Sequence, residues 1–78
     1  MDDDIDTDRI DDAVLALLLL GRHDGMRAWK GFDWDALGRL HEKGLISDPV
    51  GKAKSVVFTE KGLTLAEGLF DQMFARKK

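Results

Sequence analysis

The chain of 78 residues contains no cysteine. No disulfide can staple it, and no thiolate is available to hold a metal or attack a substrate. His23 and His41 are the only histidines, and neither has a partner at a recognisable metal-ligand spacing. The hydroxyls of Thr7, Ser47, Ser55, Thr59 and Thr64 sit in no nucleophile motif. A glycine-rich phosphate loop is missing as well. The longest apolar run, 13–20, is eight residues, where a membrane span needs about 18. The opening Met1, Asp2, Asp3, Asp4 is the reverse of a basic signal sequence. These absences predict a soluble, cytoplasmic, non-enzymatic protein with no cofactor, no metal and no membrane partner.

What is present is charge of both signs, unevenly placed. Residues 1–12 hold seven aspartates against Arg9, a net of −6, while 13–78 carry a net of +3. An acidic start favours solubility and suits a helix N-terminus. Asp4, Asp6 and Asp8 imitate the opening of a calcium loop. That loop requires Gly at its sixth position and Glu at its twelfth, and Arg9 and Leu15 stand there instead. Residues 1–4 are expected to be disordered, and 5–78 to form one domain. A chain this short buries only about 60% of its unfolded surface, and unstapled folds of this size often gain stability by oligomerising.

Three helices are expected, near 6–20, 33–43 and 60–75. In the first, Ile10, Ala13, Val14, Leu17 and Leu18 form a core-facing stripe, and Asp6 is its N-cap. Leu15 and Leu19 lie on another side of that helix. With Leu65 and Leu69 of the last helix they are the candidate homodimer interface, since both helices carry more apolar surface than one stripe needs. Asp33 caps the second helix, whose inward stripe reads as Trp34, Leu37, Leu40 and His41. Gly44 and Leu45 fit a Schellman stop, which requires a positive φ at Gly44. Thr59 caps the third helix, with Leu63, Ala66, Phe70 and Phe74 spaced for its buried face. Between helices, 45–50 and 55–58 read as a hairpin around 51–54, with Pro49 forcing an edge or an end. Residues 22–32 contain an Asp24-Gly25 turn. Within them, 26–30 fits either a short strand or a single helical turn.

That order of elements resembles a winged helix. The stretch 37–46 (LGRLHEKGLI) is similar to a recognition helix entering its wing, and 58–62 (FTEKG) with Ala66 is similar to the wing exit of MarR-type and PadR-type regulators. The resemblance implies an α+β, winged-helix-like domain in the order helix, short segment, helix, β-hairpin wing, helix. Its helix-turn-helix is shortened, with 22–32 replacing one helix of those regulators. Trp29, Phe32 and Trp34 are expected to fill that space as core aromatics. The stretches 6–17 (DTDRIDDAVLAL), 27–37 (RAWKGFDWDAL) and 41–54 (HEKGLISDPVGKAK) resemble a small bacterial family of uncharacterised proteins, which implies no activity.

The winged-helix resemblance implies double-stranded DNA as a partner. The candidate contacts are Lys52 and Lys54 on the wing, Arg39 and Lys43 on the second helix, and Arg27 and Lys30 nearby. Asp33 and Asp35 oppose a phosphate at the start of that helix, and Asp35 is placed to pair with Arg39 at i, i+4. An ordinary solvated surface accounts for the same cations equally well. The other class of function is a protein-interaction or dimerisation module that does not bind DNA.

Overall fold

The computed structural model describes residues 5–76. The acidic start at 1–4, expected to be disordered, lies outside the described residues. Helix α1, Thr7–Leu18, begins where the Asp6 carboxylate accepts hydrogen bonds from the amides of Asp8 and Arg9 at 3.1 and 3.2 Å. It ends in a 3₁₀ turn, Leu19–Gly21. Strands β1 (Arg22–Asp24) and β2 (Arg27–Trp29) then form a hairpin whose turn places Gly25 at φ 53°. Helix α2, Trp34–Glu42, is capped by Asp33. Strand β3 (Ser55–Val57) leads into helix α3, Glu60–Phe74.

The sheet is antiparallel in the order β1-β2-β3. The expected hairpin partner of β3 is reduced to a stub. Ile46 bridges Phe58, and the Ser47 amide donates to the Val57 carbonyl at 2.8 Å. The Ser47 hydroxyl, rather than a backbone carbonyl, then accepts from the Val57 amide. The chain departs at Asp48, whose carboxylate takes the Val50 amide, and at Pro49, which has no donor to give. The other edge of β3 is occupied by β2, with Ala28 opposite Val56 and Trp29 opposite Ser55. The segment 26–30, for which strand and helical turn were equally open, is therefore mainly strand. Together the elements make an α+β fold of three helices and a three-stranded antiparallel sheet.

The core is built from Leu15 and Leu18 of α1, Leu37 and Leu40 of α2, Ala66 of α3, and Ala28, Ile46, Val56 and Phe58 on one face of the sheet. Several expectations are corrected here. In α1 the buried residues are Asp11, Val14, Leu15, Ala16 and Leu18, while Ile10 is 40% exposed. The helix is thus rotated from its hydropathy stripe, because Asp11 turns inward to partners on α2. Trp34 and His41 lie outside the buried face of α2. Phe32 packs against the core, but Trp29 and Trp34 are half exposed. Trp29 follows buried Ala28, so strand alternation points it outward. In α3, Phe74 is exposed and leans on Phe70 with ring centroids 5.2 Å apart.

One joint holds α2, the stub and α3 together. Gly44 has φ 75°, the Gly44 amide donates to the His41 carbonyl, and the Leu45 amide donates to the Leu40 carbonyl. That is a complete Schellman motif. The Thr59 amide donates to the Leu45 carbonyl, and the Thr59 hydroxyl donates to the Gly44 carbonyl while accepting from the Gly62 amide. Gly62 lies against this turn so closely that a β-carbon there would overlap the Leu45 carbonyl. A backbone carbonyl in a capped turn has no flexible end to move aside. Gly62→Ala should therefore cost about 3 kcal/mol or more. Gly38→Ala, whose β-carbon meets nothing, should gain about 0.5–1 kcal/mol from helix propensity. Thr59→Ala should cost about 1 kcal/mol. Urea unfolding of the three variants checks this, and equal effects of the two glycine substitutions would refute the joint.

Candidate functional site

Two features stand out: a charged seam between α1 and α2, and a hollow on the outer flank of α3. The seam forms because Asp11 has no exposed surface. A carboxylate in that position requires donors. The Arg39 guanidinium supplies them through Nε, at 3.0 and 2.8 Å to the two oxygens, and through Nη2 at 2.8 Å. Lys43 Nζ adds a contact at 3.1 Å and reaches Asp8 at 3.2 Å. Burial by itself raises the Asp11 carboxyl. The hydrogen bonds from Arg39 and then Lys43 outweigh it and hold the group below the ordinary carboxylate range. In turn, the bond to Asp11 is the main influence raising both Arg39 and Lys43.

The six candidate cations therefore do not form one face of free charge. Arg39 and Lys43 are committed to Asp11, and Arg39 pairs with Asp11 rather than with Asp35, the i, i+4 partner expected from sequence. Arg27 meets Asp24 at 3.0 Å in an exposed pair, a kind of contact that contributes little. Lys30 Nζ donates to the carbonyls of Pro49 and Gly51 at 2.6 and 3.2 Å, and it sits 5.9 Å from the Trp34 ring centre. It fastens the 48–54 loop to the body. Lys52 and Lys54 are exposed on that loop, and no carboxylate among the described residues pairs with either.

Both histidines have structural partners. The His23 ring stacks on Trp29 with centroids 4.1 Å apart and bonds the Ser55 hydroxyl through Nε2. His41 Nδ1 donates to the Ile46 carbonyl at 3.1 Å. Among the described residues, no group of three or more histidine or acidic side chains is placed to hold a metal ion. No helix is long and apolar enough to cross a membrane.

The four leucines of the candidate interface separate. Leu15 is fully buried, so it belongs to the core and not to an outer face. Helix α1 packs on both α2 and α3, a double contact that a single hydropathy stripe does not reveal. Leu19 is partly buried against the core. Leu69 is likewise partly buried against the core, and with the more exposed Leu65 it lines an open hollow of about 560 Å³ together with Glu60, Lys61, Thr64, Gly68 and Gln72. Leu65 is 39% exposed. Sequence reasoning named the two leucines. It passed over Gly68, which lies in the hollow beside them; the signal was a glycine inside a helix next to two leucines.

The seam carries a pH signature with a definite sign. The Asp11 carboxyl is lowered in the folded protein, so its stabilisation is present above the ordinary aspartate value and lost as pH falls through the folded one. Lys43 is raised, so its stabilisation is present below the ordinary lysine value and lost as pH rises through the folded one. Arg39→Met removes the largest stabiliser of the charged carboxyl. Its acid-unfolding midpoint should move to higher pH than that of the wild type. It should also be less stable at pH 7 than the double variant Asp11→Leu, Arg39→Met, because the single change leaves a buried carboxylate short of donors. Circular dichroism across pH and urea checks both orderings, and a double variant less stable than the single one would refute the assignment.

Comparison with known proteins agrees with the resemblance carried by 6–17, 27–37 and 41–54. A family described as "Domain of unknown function (DUF6429)" matches residues 6–76. "Uncharacterized protein y4hR" of Sinorhizobium fredii (strain NBRC 101917 / NGR234) is 59% identical over 73 residues, covering 94% of this chain and 99% of that protein. No solved structure matches the chain. With the match running through all three helices and the sheet, the chain belongs to the DUF6429 family.

Proposed function

We propose that this protein is a non-enzymatic, winged-helix-like interaction module that docks a protein partner on the outer flank of α3. The observation that carries this reading is the hollow over Gly68, open to solvent and walled by Leu65 and Leu69. Exposed apolar side chains with polar ones around them suit contact with a protein, and Glu60, Lys61, Thr64 and Gln72 supply the rim. The winged-helix-like part of the proposal rests on layout. Strand β3 lies between β2 and the Ile46 stub, and the 48–54 loop projects from that edge as a wing.

A second reading, DNA binding through the wing, is favoured by Lys52 and Lys54, which have no acidic partner among the described residues. It is the weaker one, because Arg39 and Lys43 are held by a buried carboxylate and Lys30 by loop carbonyls. Two phosphate contacts per chain give a salt slope of only about −2 and weak affinity.

Photo-crosslinking residues placed at positions 65 and 52 separate the two readings in the native cell. Position 65 should yield protein adducts, and position 52 should yield no nucleic acid. Nucleic-acid adducts from position 52, lost on Lys54→Glu, would replace the docking reading with the DNA reading.

A further inference from the structure

We infer that the occupant of the α3 hollow is α3 of a second copy of this chain, packed antiparallel about a two-fold axis at Gly68. The inference rests on the docking reading above and names its partner. The lining residues have a pattern that specifies the shape of what enters. Lys61, Thr64, Leu65 and Gly68 stand at i, i+3, i+4 and i+7, and so do Leu65, Gly68, Leu69 and Gln72. Each set is the four-residue hole that receives one side-chain knob from a facing helix. Two holes in succession along one helix call for a helical occupant. Leu65 and Gly68 are common to both, and a β-carbon at Gly68 would meet nothing within 4 Å. The backbone is therefore open to close approach by a second helix axis.

The same helix supplies the knob. With a two-fold axis at Gly68, Leu65 of each copy, 39% exposed and three residues from the axis, falls on the partner's hole bounded by Gly68, Leu69 and Gln72. Charge selects the direction. A parallel pair would set Glu60 beside Glu60 and Lys61 beside Lys61, with helix dipoles aligned. The antiparallel pair opposes the dipoles. It also sets Glu60 at the level of the partner's Arg76, which follows the end of α3 and carries the opposite sign. The contact is limited in extent. A 15-residue helix is about 22 Å long, so one helix pair buries less than the ~1,200 Å² of a standard interface. An interface of that size belongs with weak, transient contacts.

Sedimentation equilibrium of the full chain from ~5 to ~500 μM, a range set by the affinity scale, tests the inference. The mass should rise from 8.7 kDa toward twice that value. Gly68→Gln fills both holes with a good helix former, so the variant should stay folded by circular dichroism and dimerise at least tenfold more weakly. Glu60→Arg and Arg76→Glu should each weaken the dimer, and combining them should restore it. A mass of 8.7 kDa throughout, or a dimer indifferent to Gly68→Gln, would overturn the inference. A monomer that nonetheless crosslinks from position 65 to a different protein overturns the second copy alone. A monomer that crosslinks to nothing from position 65 overturns the docking reading with it.

Discussion

A carboxylate with no exposed surface has to be met by donors, and Asp11 is met by Arg39 and Lys43. Much of the molecule is arranged around that requirement. It turns the 11, 14, 15, 18 stripe of α1 inward and leaves Ile10 at the surface. It fixes α2 against α1 by charge as well as by the apolar contacts of Leu37 and Leu40. It also withdraws two cations from the surface of the helix that a winged-helix reader would present to DNA. Burying an ion pair adds little net stability compared with apolar packing. Here it sets the rotation of one helix and the free charge of another.

The joint at Leu45 plays the corresponding role for the other half of the fold. The Schellman turn closes α2, and its carbonyls at Gly44 and Leu45 accept from Thr59. The helix that Thr59 caps needs Gly62 because the Leu45 carbonyl already fills that space. Residues 44–45 and 59–62, far apart in sequence, are one device. It places α3 at the edge of the sheet with Ala66 in the core. The opposite flank of α3 is left outside, which is why the hollow at Gly68 lies at the surface.

Local chemistry was legible in the sequence where the side chain and backbone it acts on are close together. Asp6, Asp33, Thr59 and Gly44 marked the helix ends to within a residue or two because caps are short-range. Pairing and rotation were not legible, because they depend on partners far along the chain. The hydropathy stripe of α1 did not include Asp11, and it is Arg39 and Lys43, 28 and 32 residues away, that make an inward aspartate tolerable. The wing was read as a full hairpin, whereas Ser47 and Pro49 stop its first strand and β2 takes the other edge of β3. Trp29 was read as core on size, and Trp34 on size and on its spacing with Leu37 and Leu40; strand alternation and an N-terminal helix position put them at the surface.

The candidate site followed the same division. Leu65 and Leu69 were visible as surplus apolar residues, but Leu15 carried the same signal and is core. What separates them is the number of neighbours each helix has. Helix α1 is packed by both α2 and α3, so its surplus is absorbed internally. Among the described residues, the hollow on α3 is lined by α3 only, and there Leu65 remains exposed while Leu69 packs partly against the core. A helix with apolar residues on two sides and packing on only one leaves a surface whose burial must come from elsewhere. On that ground the functional question moves from the wing to α3. The loop held by Lys30 keeps two lysines with no acidic partner among the described residues, enough for weak contact with phosphate and too few for a strong one. The α3 flank has a shape, two helix-spaced holes around one glycine, and shape of that kind discriminates among partners in a way that two exposed charges do not.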